Sequence, residues 1–233
     1  YNFNFATLIR YERSFADDRL SFGVAAEMPA VSGTYGEGFE PIPQRVPDIP
    51  AYIQYAWGPE RSSHLRASVV LRDMYLHNLR TAENTSLLGW GVQLSGTIRC
   101  CRAFRMFMNG VYGKGITPYI QDLTGAGLDF TPDPRNAAYI QTMPMWGWQA
   151  AGQFSLTRRL TLSGGYSTVR IQRSHGFYAD DEYKRGQYIF GNLFYALTPR
   201  CTLAAEYLYG SRRNMSDAEN HANRVNVMLQ YTF

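Results

Sequence analysis

Val225-Asn-Val-Met-Leu-Gln-Tyr-Thr-Phe233 decides how the rest of the chain is read. Its odd positions, Val225, Val227, Leu229, Tyr231 and Phe233, are all apolar or aromatic, whereas Asn226, Gln230 and Thr232 between them are polar. Such period-2 alternation marks a strand with two chemically different faces. The pattern returns upstream. Leu65, Ala67, Val69 and Leu71 alternate with Arg66, Ser68, Val70 and Arg72, and Leu88, Trp90, Val92 and Leu94 alternate with Gly89, Gly91, Gln93 and Ser95. Eleven strands are expected, at about 2–13, 20–29, 49–57, 64–75, 87–99, 103–117, 138–155, 159–172, 185–197, 201–210 and 222–233. The sixth keeps no single parity across Arg105, Phe107, Asn109 and Lys114, so a bulge is expected near Gly110 or Gly113.

Composition agrees. The 233 residues are 15% aromatic but only 18% charged, against about 25% charged in soluble domains, and mean hydropathy is slightly polar at −0.31. No uninterrupted apolar stretch reaches the roughly 18 residues of a membrane helix, and a hydrophobic content of 45% excludes disorder. An all-β chain with apolar residues at alternate positions remains.

Its connections fall into two alternating classes. Ala16-Asp-Asp-Arg19, Gly58-Pro-Glu-Arg61, Cys100-Cys-Arg102, Thr157-Arg-Arg159 and Thr198-Pro-Arg200 are short. Those at about 30–48, 76–86, 118–137, 173–184 and 211–221 are long and rich in Gly, Pro, Asp and Asn. Short turns at one end and long loops at the other are the plan of a transmembrane antiparallel β-barrel of the bacterial outer membrane, with the long loops outside the cell.

Lipid then dictates where charges point. A cation on the lipid face near the midplane costs about 2–4 kcal/mol, so Arg66 and Arg72 are expected inward, opposite in parity to Leu65 and Leu71, and Arg224 inward with Asn226 and Gln230. Arg72, Lys114, Arg170 and Arg224 fall in the strand halves nearest the long loops, Arg185, Arg212 and Arg213 at the same rim, and Glu206 near mid-strand. Together they suggest a basic outer vestibule that attracts small anions. The alternative is that rim arginines bind lipopolysaccharide phosphates or pair with the loop acids Asp122, Asp129, Asp133, Asp180 and Asp181.

No GxSxG, P-loop, HExxH or GxGxxG motif is present, so no cofactor, metal or nucleic-acid partner is expected. His64 adjoins a short turn, and His77, His175 and His221 lie in or beside long loops; Asp180, Asp181 and Asp217 with His221 loosely resemble the Asp/His pairs of omptin proteases. A loop-borne hydrolase, or an adhesive scaffold, is therefore the alternative to a channel. Cys100, Cys101 and Cys201 show no metal-ligand spacing. Pairing of Cys100 with Cys201 across several strands is not expected, leaving a vicinal pair or free thiols.

Val111-Tyr-Gly-Lys-Gly-Ile-Thr-Pro-Tyr-Ile-Gln-Asp-Leu123, Asn192-Leu-Phe-Tyr-Ala-Leu-Thr-Pro199, Ala204-Ala-Glu-Tyr-Leu-Tyr-Gly210 and Val46-Pro-Asp-Ile-Pro50 resemble segments of the DcaP-type porins. The resemblance implies a homotrimeric outer-membrane channel of about sixteen strands per subunit that takes up dicarboxylates and other small anions. Lys114 and Glu206 lie within the resembling segments; Arg72 does not. Residues 1–233 are expected to form a single barrel domain, and an odd count of eleven strands implies that at least one strand precedes Tyr1, or five if sixteen is the total.

Overall fold

The structure is a computed structural model that describes residues 6–133, 135–172, 176 and 178–233. Among the described residues fourteen strands alternate with turns: β1 (Leu8–Phe15), β2 (Leu20–Glu27), β3 (Phe39–Pro41), β4 (Ile49–Trp57), β5 (Ser63–Asn78), β6 (Glu83–Arg99), β7 (Phe104–Lys114), β8 (Phe130–Asp133), β9 (Asn136–Thr142), β10 (Pro144–Ser155), β11 (Leu160–Ile171), β12 (Tyr183–Thr198), β13 (Cys201–Asn214) and β14 (Glu219–Tyr231). The large sheet is antiparallel throughout, in the order β1-β2-β4-β5-β6-β7-β10-β11-β12-β13-β14, with β3 attached to β5 and a separate β8-β9 hairpin. β1 and β14 are its two edges, and the sheet is not closed.

Directly opposed residues of an antiparallel ladder share a face, so each face can be followed from strand to strand. One row reads Phe15, Leu20, Tyr55, Leu65, Gly96, Met108, Ala150, Tyr166, Ile189, Tyr209, Asn223. The row beside it, on the opposite face, reads Ser14, Ser21, Gln54, Arg66, Ser95, Asn109, Gln149, Ser167, Tyr188, Gly210, Ala222. One face is apolar almost to its last strand, and the other is polar. Apolar side chains on the first face are well exposed, with Val227 at 72% and Leu229 at 66%. A protein in water would not leave so continuous an apolar face uncovered.

The polar face carries the packed core. After β7 the chain turns at Gly115, whose φ of 63° suits a residue without Cβ, and runs inward. Ile116, Ile120, Leu123 and Leu128 pack against Val70, Met145, Ile171, Tyr183 and Met215. A second cluster, Phe39, Met74, Leu76, Phe130 and Ile140, holds the ends of β3, β5, β8 and β9 together.

Three expectations are corrected. The segments 76–86 and 211–221 are not long loops: β5 and β6 run on to Asn78 and from Glu83, and β13 and β14 to Asn214 and from Glu219. Ala82 (φ 56°) and Asp217 (φ 68°) make the tight reversals. The polar composition there belongs to strand ends whose ladder pairing continues. No register shift interrupts β7 against β6 or β10, so the bulge near Gly110 or Gly113 is absent. The stretch 138–155 is two strands, because β9 pairs with β8 while β10 enters the large sheet.

Candidate functional site

The polar face is built from short side chains interrupted by a few cations. Near its centre Arg66 donates from Nε to Gln54 Oε1 at 2.9 Å, and its guanidinium carbon lies 4.1 Å from the centre of the Tyr52 ring. A guanidinium over an aromatic face is attracted by the ring's quadrupole, and Arg66 lines the cavity on this face. Among the described residues Arg66 forms no ion pair. Arg10 and Glu12, on the same face of β1, pair at 3.2 Å. In the next row toward the loops, Gln93 Nε2 donates to Asn109 Oδ1 at 2.8 Å. A cavity of about 630 Å³ is lined by Arg10, Tyr52, Arg66, Gln93 and Tyr119. A second, of about 580 Å³, lies beyond Tyr119 against Asn109, Asp122 and Gln149. The inward segment that carries Tyr119 thus divides the space along the polar wall.

Arg72 holds that segment in place. It is on the polar face, as parity demands, but its side chain is 0% exposed. Nε donates to Asp48 Oδ2 at 2.9 Å, Nη1 to Asp129 Oδ1 at 3.0 Å and to the Gly115 carbonyl at 2.6 Å, and Nη2 to the Ala30 carbonyl at 2.6 Å. Asp129 also accepts from the Thr117 N–H at 3.0 Å and the Ser32 N–H at 3.1 Å. The Tyr119 hydroxyl lies 3.0 Å from Glu27 Oε2 and 3.1 Å from Asp48 Oδ2. Burial pushes the Asp48 carboxyl above its ordinary pKa, which the adjacent Arg72 only partly offsets, and Oδ1 of Asp48 has no hydrogen-bond partner. Burial likewise raises the Tyr119 and Asp122 side chains. Expected as a free vestibule cation, Arg72 is instead a neutralised clamp joining β5 to the β2–β4 connection and to the inward segment.

Register sorts the other expected site residues by face. Arg224 is on the polar face and donates to Asn226 Oδ1 at 2.8 Å, and Asn226 donates to Glu206 Oε1 at 2.7 Å. Arg212, on the same face, donates to Asn214 Oδ1 at 2.9 Å and to the Asp181 carbonyl at 2.8 Å. Lys114 is on the apolar face, opposite Trp90 and Pro144, because an unbulged β7 keeps it in parity with Tyr112. Arg170, Arg185 and Arg213 share one row on that same face, so none of them lines the polar wall. Alternation does not carry the face of these cations, because they stand where the strand pattern ends. Arg66, Arg10 and Gln54 were not singled out as a site, although the parity of Arg66 was plain.

For the alternative chemistry, His221 stacks on Tyr209 with ring centres 6.2 Å apart, His77 Nδ1 lies 2.6 Å from Asn84 Oδ1, and His175 is outside the described residues. Cys100, Cys101 and Cys201 are free thiols. No helix among the described residues is long and apolar enough to cross a membrane.

Comparison with solved structures follows the same lines. The outer-membrane channel DcaP of Acinetobacter baumannii superimposes with a TM-score of 0.79 at 18% identity, over 97% of this chain and 62% of that one. The fold is that of outer-membrane porins. An anion-selective porin from Comamonas acidovorans matches with a TM-score of 0.58 at 11% identity, over 97% and 59% of the two chains. Outer-membrane expressed OmpT of Vibrio cholerae gives 0.53 at 13%, over 97% and 64%. The chain therefore spans a little under two thirds of these porins' lengths, and its resemblance to the DcaP-type porins holds at the level of fold. No protein-family model and no curated protein matches the sequence.

Proposed function

We propose that the sheet is part of the wall of a barrel in the bacterial outer membrane and lines a passive diffusion channel for small solutes, with a preference for anions such as dicarboxylates. The observation that carries this reading is the pair of adjacent rows, one apolar and one polar, that crosses the whole sheet. An open sheet edge in lipid leaves backbone groups unsatisfied at several kcal/mol each. We propose that the β1 and β14 edges are closed by further strands of the same polypeptide, and that the subunits assemble as homotrimers. One comparison structure, of Vibrio cholerae OmpT, is described as a trimer form.

Anion preference follows from Arg66. Among the described residues it forms no ion pair, and it lines the cavity beside the inward segment, where low-dielectric walls strengthen its field, whereas Arg72 is already neutralised by two carboxylates. The test is the zero-current potential of the reconstituted protein in a planar bilayer under a salt gradient. The sign should indicate anion preference, and R66Q should move it toward zero. The change should be larger at low salt, where the Debye length is about 30 Å at 0.01 M against 10 Å at 0.1 M. Cation preference in the unmodified protein would overturn the proposal.

A further inference from the structure

The cations displaced from the polar wall form an ordered group of their own. Tyr112, Trp146, Arg170, Arg185, Arg213 and Glu219 are successive members of one cross-strand row on the apolar face. Lys114 stands one ladder step beyond Tyr112. Strands lie about 4.8 Å apart, so the three arginines span roughly 10 Å. Glu219 pairs with Arg213 and reaches Arg185 at 3.6 Å. Lys114 and Arg170 are exposed and, among the described residues, without an ion pair. The row carries more positive charge than Glu219 offsets.

Its height follows from strand geometry. From Leu160 to Arg170, β11 climbs ten steps of about 3.3 Å, or roughly 33 Å of path. At a tilt of about 45° this is roughly 23 Å of height, close to the ~25 Å apolar band of outer-membrane barrels. Trp146 and Tyr112 in the row and Trp148 beneath it are the aromatic residues expected where lipid tails give way to headgroups. The arginines therefore sit at headgroup level on the lipid side, separated from the solute path by the sheet itself. Guanidinium forks bind phosphate oxygens in pairs, and phosphate is the anion that a lipid presents at this depth.

We propose that Arg170, Arg185 and Arg213, flanked by Lys114, form a docking surface for the phosphate groups of an outer-leaflet glycolipid. The proposal rests on the reading that the apolar face meets lipid. It is tested by native mass spectrometry of the full chain folded in detergent, after exposure to lipid A or to its dephosphorylated form. Lipid A should be retained over the dephosphorylated form by about tenfold. R170Q/R185Q should abolish that preference while keeping the heat-modifiable folded band. E219Q, which frees Arg213 and Arg185, should increase retention, giving a second readout if the double variant fails to fold. Equal amounts of inorganic phosphate should not displace the lipid; displacement would make this a free-anion site and overturn the proposal. Equal retention of the two lipids, or insensitivity to both variants, would also overturn it. Loss of retention in R66Q instead would show that the assignment of faces itself is wrong.

Discussion

Arg66 and Arg72 stand six residues apart on one strand and point the same way, yet among the described residues the first forms no ion pair and the second is consumed by structure. The difference is burial, which alternation does not encode. Parity placed both on the polar face; only the return of the β2–β4 connection and the inward segment puts Asp48 and Asp129 around Arg72. Removing a buried partner strands the remaining charges, at a cost of about 3–5 kcal/mol. R72A should therefore loosen the inward segment and lower the temperature at which folded protein converts to the slower heat-denatured band. R66Q should leave that temperature within the small range of surface changes. Equal losses in the two variants would contradict this division. Asp48 adds a pH dependence. Its pKa is raised in the folded protein, so between the unfolded and folded values the native state holds a proton that the unfolded chain has released. That contribution is present at low pH and is lost as pH rises through the folded value. As pH rises from the unfolded value through the raised folded one, the parent should lose more stability than D48N. Identical pH slopes in parent and D48N would refute the role given to Asp48.

At the scale of elements, period-2 alternation located the eleven strands of the sheet's main path but not β3, which lies in the stretch 30–48 read as a loop; one apolar and one polar face impose the same constraint on each of the eleven. It failed where that constraint stops. Residues 76–78 and 211–214 are outside the apolar band, so their polarity read as loop although the ladder continues. The cost of a cation on a lipid face argues for placing Lys114, Arg170 and Arg185 inward, but that cost falls to about 0–1 kcal/mol near the membrane interfaces, so it does not fix the face of cations near strand ends. The constraint is strong again lower on β14. Leu229 pairs with Leu203 on the apolar face, whereas Gln230 pairs with Thr202 on the polar one. Leu229→Arg should lower the yield of folded, heat-modifiable protein, by about 2–4 kcal/mol if it lies at the midplane. Gln230→Arg should be tolerated. Equal loss from the two neighbours would contradict the assignment of faces.

For the whole molecule, the proposed closure of the sheet makes a mass prediction: the protein isolated from its source membrane should be substantially heavier than 26.5 kDa. A chain of that mass would require β1 and β14 to find each other. The inward segment, legible only as a Gly- and Pro-rich loop, became the main feature of the site because its Ile116, Ile120, Leu123 and Leu128 bury against the polar wall. No strand pattern could announce that. The central claim, that the polar face lines a water-filled path and the apolar face meets lipid, is tested most directly by single-channel recording of cysteine variants. In a background with Cys100, Cys101 and Cys201 changed to Ser, a bulky water-soluble thiol reagent should reduce the current through R66C and N109C. It should leave the current through V92C, on the other face, unchanged. Block through V92C with none through R66C or N109C would contradict the account.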